Sequence, residues 1–175
     1  MGEPNNRLIQ AIVGLSLVLV FVGCGQGRVE KPVQAEDWTA RKMEIDFQDS
    51  LVRGQSYLSV YSKIYSQTEH QTHDLTVTVS LRNTGLDTAT VTSAKYYNTH
   101  GDLIRTYFDF PVRLKPMETV EIIIAEADDD GGTGGNFIFD WVMKQNGTEP
   151  LFEAVMISTS GQQGLSFRTD GVRIK

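Results

Sequence analysis

From Tyr57 onward the apolar positions recur every second residue. Leu75, Val77, Val79 and Leu81 alternate with Thr76, Thr78, Ser80 and Arg82, the pattern of a strand with one buried face. Asn83-Thr84-Gly85 supplies turn chemistry behind it. Residues 89–98 (ATVTSAKYYN) are rich in β-branched and aromatic side chains. Thr99-His100-Gly101-Asp102 turns them into Leu103–Phe108, which predicts a hairpin. Pro111 and Pro116 bracket an irregular connection, because proline cannot donate to a sheet ladder. Residues 119–125 (TVEIIIA) resume a strand, and the consecutive isoleucines predict burial on both faces. Phe137, Phe139, Trp141 and Met143 line one face of the next. Residues 152–159 and 165–169 complete the set, and Asp170-Gly171 turns the chain before the C-terminal VRIK.

One segment reads two ways. Tyr57, Tyr61 and Tyr65 recur at helical spacing, yet in extended form they share one side with Leu58, Val60 and Ile64 on the other. Its Val, Ile, Ser and Tyr content selects the strand. About eight short strands with frequent turn signals and no long helical period predict an all-β domain. The expected architecture is an antiparallel two-sheet sandwich. LTVTVSLRNTG and the segment from Leu114 to Val120 resemble immunoglobulin-like or fibronectin-like strand and corner patterns. A small β-barrel is the alternative.

The N-terminus departs from this period. Residues 8–22 (LIQAIVGLSLVLVFV) form an apolar run shorter than the roughly 20 residues of a membrane span, and suit a signal-peptide core. Arg7 and the α-amino group outnumber Glu3 upstream of it. Cys24, the one cysteine of the chain, closes the run after Gly23. Phe21-Val22-Gly23-Cys24 resembles the lipobox of bacterial lipoproteins, although Leu is more usual in the place of Phe21. The resemblance implies diacylglyceryl transfer to the Cys24 sulfur, cleavage after Gly23 and acylation of the new amino terminus. Several acyl chains give a firm anchor. A plain secreted protein cut near the same place, or an uncleaved anchor, is the alternative. The expected organisation is a signal peptide over 1–23, a lipidated cysteine and flexible tether over 24–48, and a single β domain over 49–175. Within the tether a short helical turn is expected around Trp38–Met43, and Trp38 itself is a candidate for packing on the domain edge or meeting the bilayer interface.

Composition narrows the function classes. Lys and Arg number 16 against 22 Asp and Glu, a net charge of −6. That lacks the basic footprint of a nucleic-acid-binding domain. Hydrophobic residues at 40% and charged residues at 22% are ordinary for a folded domain. With one cysteine, intrachain disulfides are excluded.

The motifs SVYSKIY (59–65), LTVTVSLRNT (75–84), YYNTHGDLIR (96–105), GGTGGNFIFDW (131–141), EAVMIST (153–159) and QGLSF (163–167) together resemble a family of bacterial predicted lipoproteins. That family is domain of unknown function 3124, and the resemblance covers roughly residues 50–171. It implies a lipoprotein address and a compact β domain. It carries over no catalytic residue.

Two constellations carry candidate chemistry. His70 and His73 stand as H-x-x-H beside Glu69 and Asp74, residue types that ligate zinc; in a polar loop they are equally read as solvated. His100 is a turn residue, and no G-x-S-x-G elbow occurs. The second constellation is residues 126–136 (EADDDGGTGGN), where adjacent aspartates meet four glycines between two hydrophobic strands. Glycines permit positive φ and close backbone approach. Asp128, Asp130 and Asn136 are therefore candidates for a weak calcium site or for the partner-contact tip of the domain. Phe137 occupies the place where a calcium loop needs its bidentate Glu, and a tight solvated connection is the plainer reading. Tyr96, Tyr97, Tyr107, Phe108 and Phe110 cluster around the hairpin, with Tyr96 expected inward and Tyr97 outward.

The expected role is a membrane-anchored extracytoplasmic binding or interaction module for an envelope protein or ligand. It faces the periplasm or cell exterior, and Gly25 after the cysteine favours the outer membrane where two membranes exist. An extracytoplasmic hydrolase, metal-dependent or otherwise, is the alternative.

Overall fold

Alternation from Leu75 to Leu81 becomes strand geometry in the computed structural model, which describes residues 35–45, 51–159 and 164–175. Strand β4 (Thr76–Arg82) keeps Val77, Val79 and Leu81 fully buried. It lies inside a four-stranded antiparallel sheet of order β11-β10-β4-β8, with β8 (Thr119–Ile124), β10 (Leu151–Ser158) and β11 (Leu165–Asp170).

The second sheet has six strands, in the order β12-β1-β9-β5-β6 with β7 pairing β5. Its members are β1 (Leu51–Val60), β5 (Ala89–Tyr97), β6 (Leu103–Phe108), β7 (Val112–Leu114), β9 (Gly135–Lys144) and β12 (Val172–Arg173). A separate hairpin joins β2 (Lys63–Ser66) to β3 (Thr68–Asp74). Neither sheet closes on itself, so the domain is an antiparallel β-sandwich rather than a barrel.

The inner faces meet through aromatic rings. Phe137, Phe139 and Trp141 point inward from β9, two residues apart along the strand. Phe139 stacks on Phe137 at 5.4 Å and on Phe152 of the facing sheet at 4.2 Å. Each such buried side chain is worth about 1.5–3 kcal/mol of transfer free energy. The indole N–H of Trp141 donates to Ser56 Oγ at 2.9 Å, which satisfies its polar atom inside the core. At Gly171 the chain steps from one sheet to the other. The Gly171 N–H donates to the Phe152 carbonyl at 2.8 Å, and an added Cβ would lie 2.9 Å from Phe152 Cβ.

Several expectations are corrected. Ile122 and Ile124 are buried, but Ile123 is 47% exposed, because β8 is an edge strand with one solvated face. A short strand, β7, occupies the connection between Pro111 and Pro116. His70 and His73 lie on β3, a strand exposed along its whole length, not in a loop. Backbone pairing with β2 forms this strand without apolar alternation, so no pattern announces it. The tyrosine-rich segment divides at Tyr61 into β1 and β2.

Residues 35–45, read from the sequence as tether, pack on the domain. Trp38 lies 4.8 Å from the Phe108 ring and Lys42 bridges to Val112. A 3-10 turn spans Thr39–Arg41, with Asp37 accepting from the Thr39 N–H at 3.0 Å. Cys24, the apolar run and the remainder of the tether lie outside the described residues.

Candidate functional site

The glycine-rich segment carries the chain from the four-stranded sheet to the six-stranded sheet. It leaves β8 at Ile124, makes a 3-10 turn at Gly132–Gly134 and enters β9 at Gly135. Two of its glycines are required by space. A Cβ on Gly131 would stand 1.7 Å from the Tyr96 hydroxyl, and Gly132 holds a φ of +70° against Thr99.

Polar side chains from distant segments pin this backbone. The Thr99 hydroxyl donates to the Gly131 carbonyl and accepts from the Gly134 N–H, both at 3.0 Å. Ser62 Oγ donates to the Gly132 carbonyl at 3.2 Å. The Asn136 amide donates to the Gly134 and Asn98 carbonyls, and its oxygen accepts from the Tyr57 hydroxyl at 2.5 Å. Asn98 in turn shapes the hairpin turn, its oxygen accepting from the His100 and Asp102 N–H groups at 2.9 Å.

Charges then close over the end of the core. Arg105 projects from β6 and donates to Asp128 Oδ2 at 2.9 Å and to the Tyr107 hydroxyl at 3.2 Å. Asp130 lies 4.0 Å from the same guanidinium. Lys63 at the start of β2 pairs with Asp129 at 2.5 Å. Hydrogen bonds to Tyr107 and Asp128 hold the Arg105 guanidinium charged well above its ordinary range. The Asp129 bond likewise raises Lys63, and Lys63 lowers the Asp129 carboxyl.

Beneath these pairs, burial pushes the Tyr96 hydroxyl up to about 12, with the neighbouring Ser62 hydroxyl partly opposing it. Burial also raises Tyr107, against the opposing bond from Arg105. Among the described residues, the Tyr96 hydroxyl and Asp128 Oδ1 are buried without a well-formed hydrogen bond.

The fold thus brings together SVYSKIY, YYNTHGDLIR and GGTGGNFIFDW at one end of the sandwich, through Ser62 and Lys63, Tyr96 to Arg105, and Gly131 to Asn136. Asp128 and Asp130 meet at Arg105. Asn136 makes its bonds elsewhere, to Tyr57, Asn98 and Gly134. His73 pairs with Ile64, whereas His70 lies in the irregular stretch between the Thr68 and Thr72 pairs, and both are exposed. The His70 ring has Glu69 at 3.4 Å, both fully in solvent range at 85% exposure. Among the described residues, no group of three or more His, Cys, Asp or Glu is placed to hold a metal ion.

Arg105 and Ser62 were not singled out by spacing or composition, and Thr99 and Tyr107 were read only as a turn residue and a member of the aromatic cluster. Their one signal is that they stand inside the motifs, or beside them, that carried the family resemblance.

Fold and site together define an antiparallel β-sandwich with a glycine-rich loop pinned across one end. The chain belongs to the family described as protein of unknown function DUF3124, whose model matches residues 53–174. No curated protein matches it. Among solved structures it is similar to the crystal structure of Thermotoga maritima 1070, at 10% identity and a TM-score of 0.45 over 68% of this chain and 92% of that one.

Proposed function

We propose that the protein is a lipid-anchored, extracytoplasmic binding module that acts by contact rather than by turnover. One observation carries this reading. The charged groups beneath the glycine-rich loop are spent on one another, Arg105 on Asp128 and Lys63 on Asp129, which stiffens the loop while Asp129 and Asp130 remain 57% and 61% exposed. A loop held rigid before contact loses little conformational freedom on binding, the condition for a presenting tip. The three histidines stand in solvent on a hairpin and a turn, and among the described residues no buried carboxylate is hydrogen-bonded to them as an orienting group. The anchor reading is supported by the apolar run ending at Gly23-Cys24.

Two experiments test the two halves. Cells fed a clickable fatty acid label the wild-type protein, and Cys24→Ser removes the label; equal labelling of both defeats the anchor. A photo-crosslinking residue at Asp130 captures an envelope partner that the same residue at Leu86, 90% exposed in another turn, does not. Identical capture from both positions rejects the loop as the contact. Turnover in an esterase, glycosidase or peptidase screen, abolished by replacing one histidine with alanine, replaces the binding reading with a hydrolase.

A further inference from the structure

A second concavity lies away from the loop, on the outer face of the six-stranded sheet. Its volume is about 310 Å³, and Arg53, Thr92, Ser93, Asp109 and Asp140 line it. That size stands at the small end of ligand sites, which run roughly 300–1,000 Å³. Register fixes the face. Phe137, Phe139 and Trp141 point into the core, so the alternate residues Ile138, Asp140 and Val142 point out. Opposite them on β1 stand Tyr57, Gln55 and Arg53, and on β5 stand Lys95 and Ser93.

Three features mark this groove as more than a dent in the sheet. First, β5 carries a bulge at Thr92: Val91 pairs with Trp141 and Ser93 with Asp140, which leaves Thr92 unpaired. Bulges re-aim side chains and gather at functional sites. Second, the Ser93 hydroxyl is buried at a residue only 3% exposed, and it has no hydrogen-bond partner among the described residues. A buried hydroxyl left without a partner is destabilising unless a bound group supplies one. Third, the Asp140 carboxylate is oriented by the Gln55 amide, which donates to it at 2.7 Å, whereas Arg53 has no ion pair among the described residues.

The chemistry of the walls selects the occupant. Of the lining charges, Asp109 is paired with Lys95, 3.7 Å away just outside the groove, which leaves Arg53 to balance Asp140. A balanced groove gives no advantage to an anion or a cation. It offers donors and acceptors side by side, together with two hydroxyls. β9, the strand beneath the centre of the groove, pairs with β1 on one side and β5 on the other, so a peptide cannot add to it as a further strand. Tyr57 and Tyr97, half-buried on the same face, flank Asn136 further along the sheet. They present ring surface to C–H groups while the groove takes hydroxyls.

We propose that this outer-face groove, centred on Arg53, Ser93 and Asp140, binds a neutral saccharide. The site is independent of the loop contact, and its failure leaves that reading in place. The test is calorimetric titration of the full chain in detergent micelles with chitohexaose, cellohexaose, xylohexaose, maltohexaose and mannohexaose. At least one of these is expected to bind in the micromolar to millimolar range. Arg53→Ala and Asp140→Ala are each expected to weaken it roughly tenfold or more, the loss of a charge-assisted hydrogen bond. Thr92→Ala, at a half-exposed bulge, gives a second probe should Asp140→Ala fail to fold. Thermal melts accompany each variant. Absence of binding by all five sugars overturns the proposal. So does binding that survives Arg53→Ala and Thr92→Ala unchanged in folded protein.

Discussion

The Arg105 guanidinium sits between two carboxylates, 2.9 Å from Asp128 and 4.0 Å from Asp130, and so fills the place a bound cation would take. The aspartate run that reads as the opening of a calcium loop already has a positive charge, supplied by β6. Millimolar calcium is therefore expected to leave the wild-type melting temperature unmoved. A rise with calcium that chelator reverses would refute this. Arg105→Ala strands Asp128, one of whose oxygens is already buried without a partner. The expected loss is about 1–3 kcal/mol, and adding Asp128→Asn recovers part of it. Chemical denaturation of wild type and the two variants measures both effects.

Tyr96 gives the stability a distinctive alkaline limb. Its folded hydroxyl is raised to about 12 from an ordinary 10.0, chiefly by burial. The folded state holds this proton more tightly than the unfolded chain. The corresponding stability is present below pH 10 and is lost as the pH rises toward 12. Tyr96→Phe is expected to keep or gain stability at neutral pH, since the hydroxyl has no well-formed hydrogen bond. It is also expected to flatten the loss between pH 10 and 12, with Tyr107 supplying what remains. Melting profiles against pH decide; parallel profiles for both proteins would contradict the assignment.

Gly131→Ala forces a methyl group to within 1.7 Å of the Tyr96 hydroxyl and 2.6 Å of its ring. Overpacking of this kind costs about 1–3 kcal/mol. Tyr96→Phe removes the nearer atom but not the ring, so the double variant is expected to recover only part of the loss. Full additivity in the double-mutant cycle would show that the two residues do not touch.

Glu118 ties residues 35–45 to the sandwich. Its carboxylate accepts from Arg41 at 2.9 Å and from the Lys115 N–H at 2.7 Å. Burial pushes its proton affinity up, but these bonds outweigh burial and hold the carboxyl below its ordinary 4.5. The stability it contributes is present above that value and is lost as pH falls through the lowered one. Glu118→Gln is expected to melt lower at neutral pH and to lose less than wild type between about pH 5 and pH 3. An unchanged acid limb would exclude this role.

The sandwich was legible wherever one face of a strand is buried. Leu75 to Leu81 and Phe137 to Trp141 announce themselves because the core excludes polar side chains at every second position. Where burial does not alternate, the pattern misleads. The isoleucines of β8 read as doubly buried, although an edge strand exposes Ile123. The β3 strand, polar on both faces, gave no signal at all.

The site was legible only in part. The glycine-rich segment stood out by composition, and Asp128 and Asp130 do share one neighbourhood. That their partner is Arg105 was not readable, because 23 residues and a change of sheet separate Arg105 from Asp128.

Sequence alone determined the strand periods, the turn residues and the acidic balance, since each depends on a residue's own conformational range or on its immediate neighbours. It also supplied the apolar run ending at Cys24. Tertiary structure alone decided the strand order β12-β1-β9-β5-β6, because antiparallel pairing is set by the summed burial of both sheets and not by adjacency in the chain. The same pairing brings Arg105 onto Asp128 and Arg53 beside Asp140. A charge becomes part of a site only when the fold places its counterpart within a few ångströms, and that distance is not written in either residue.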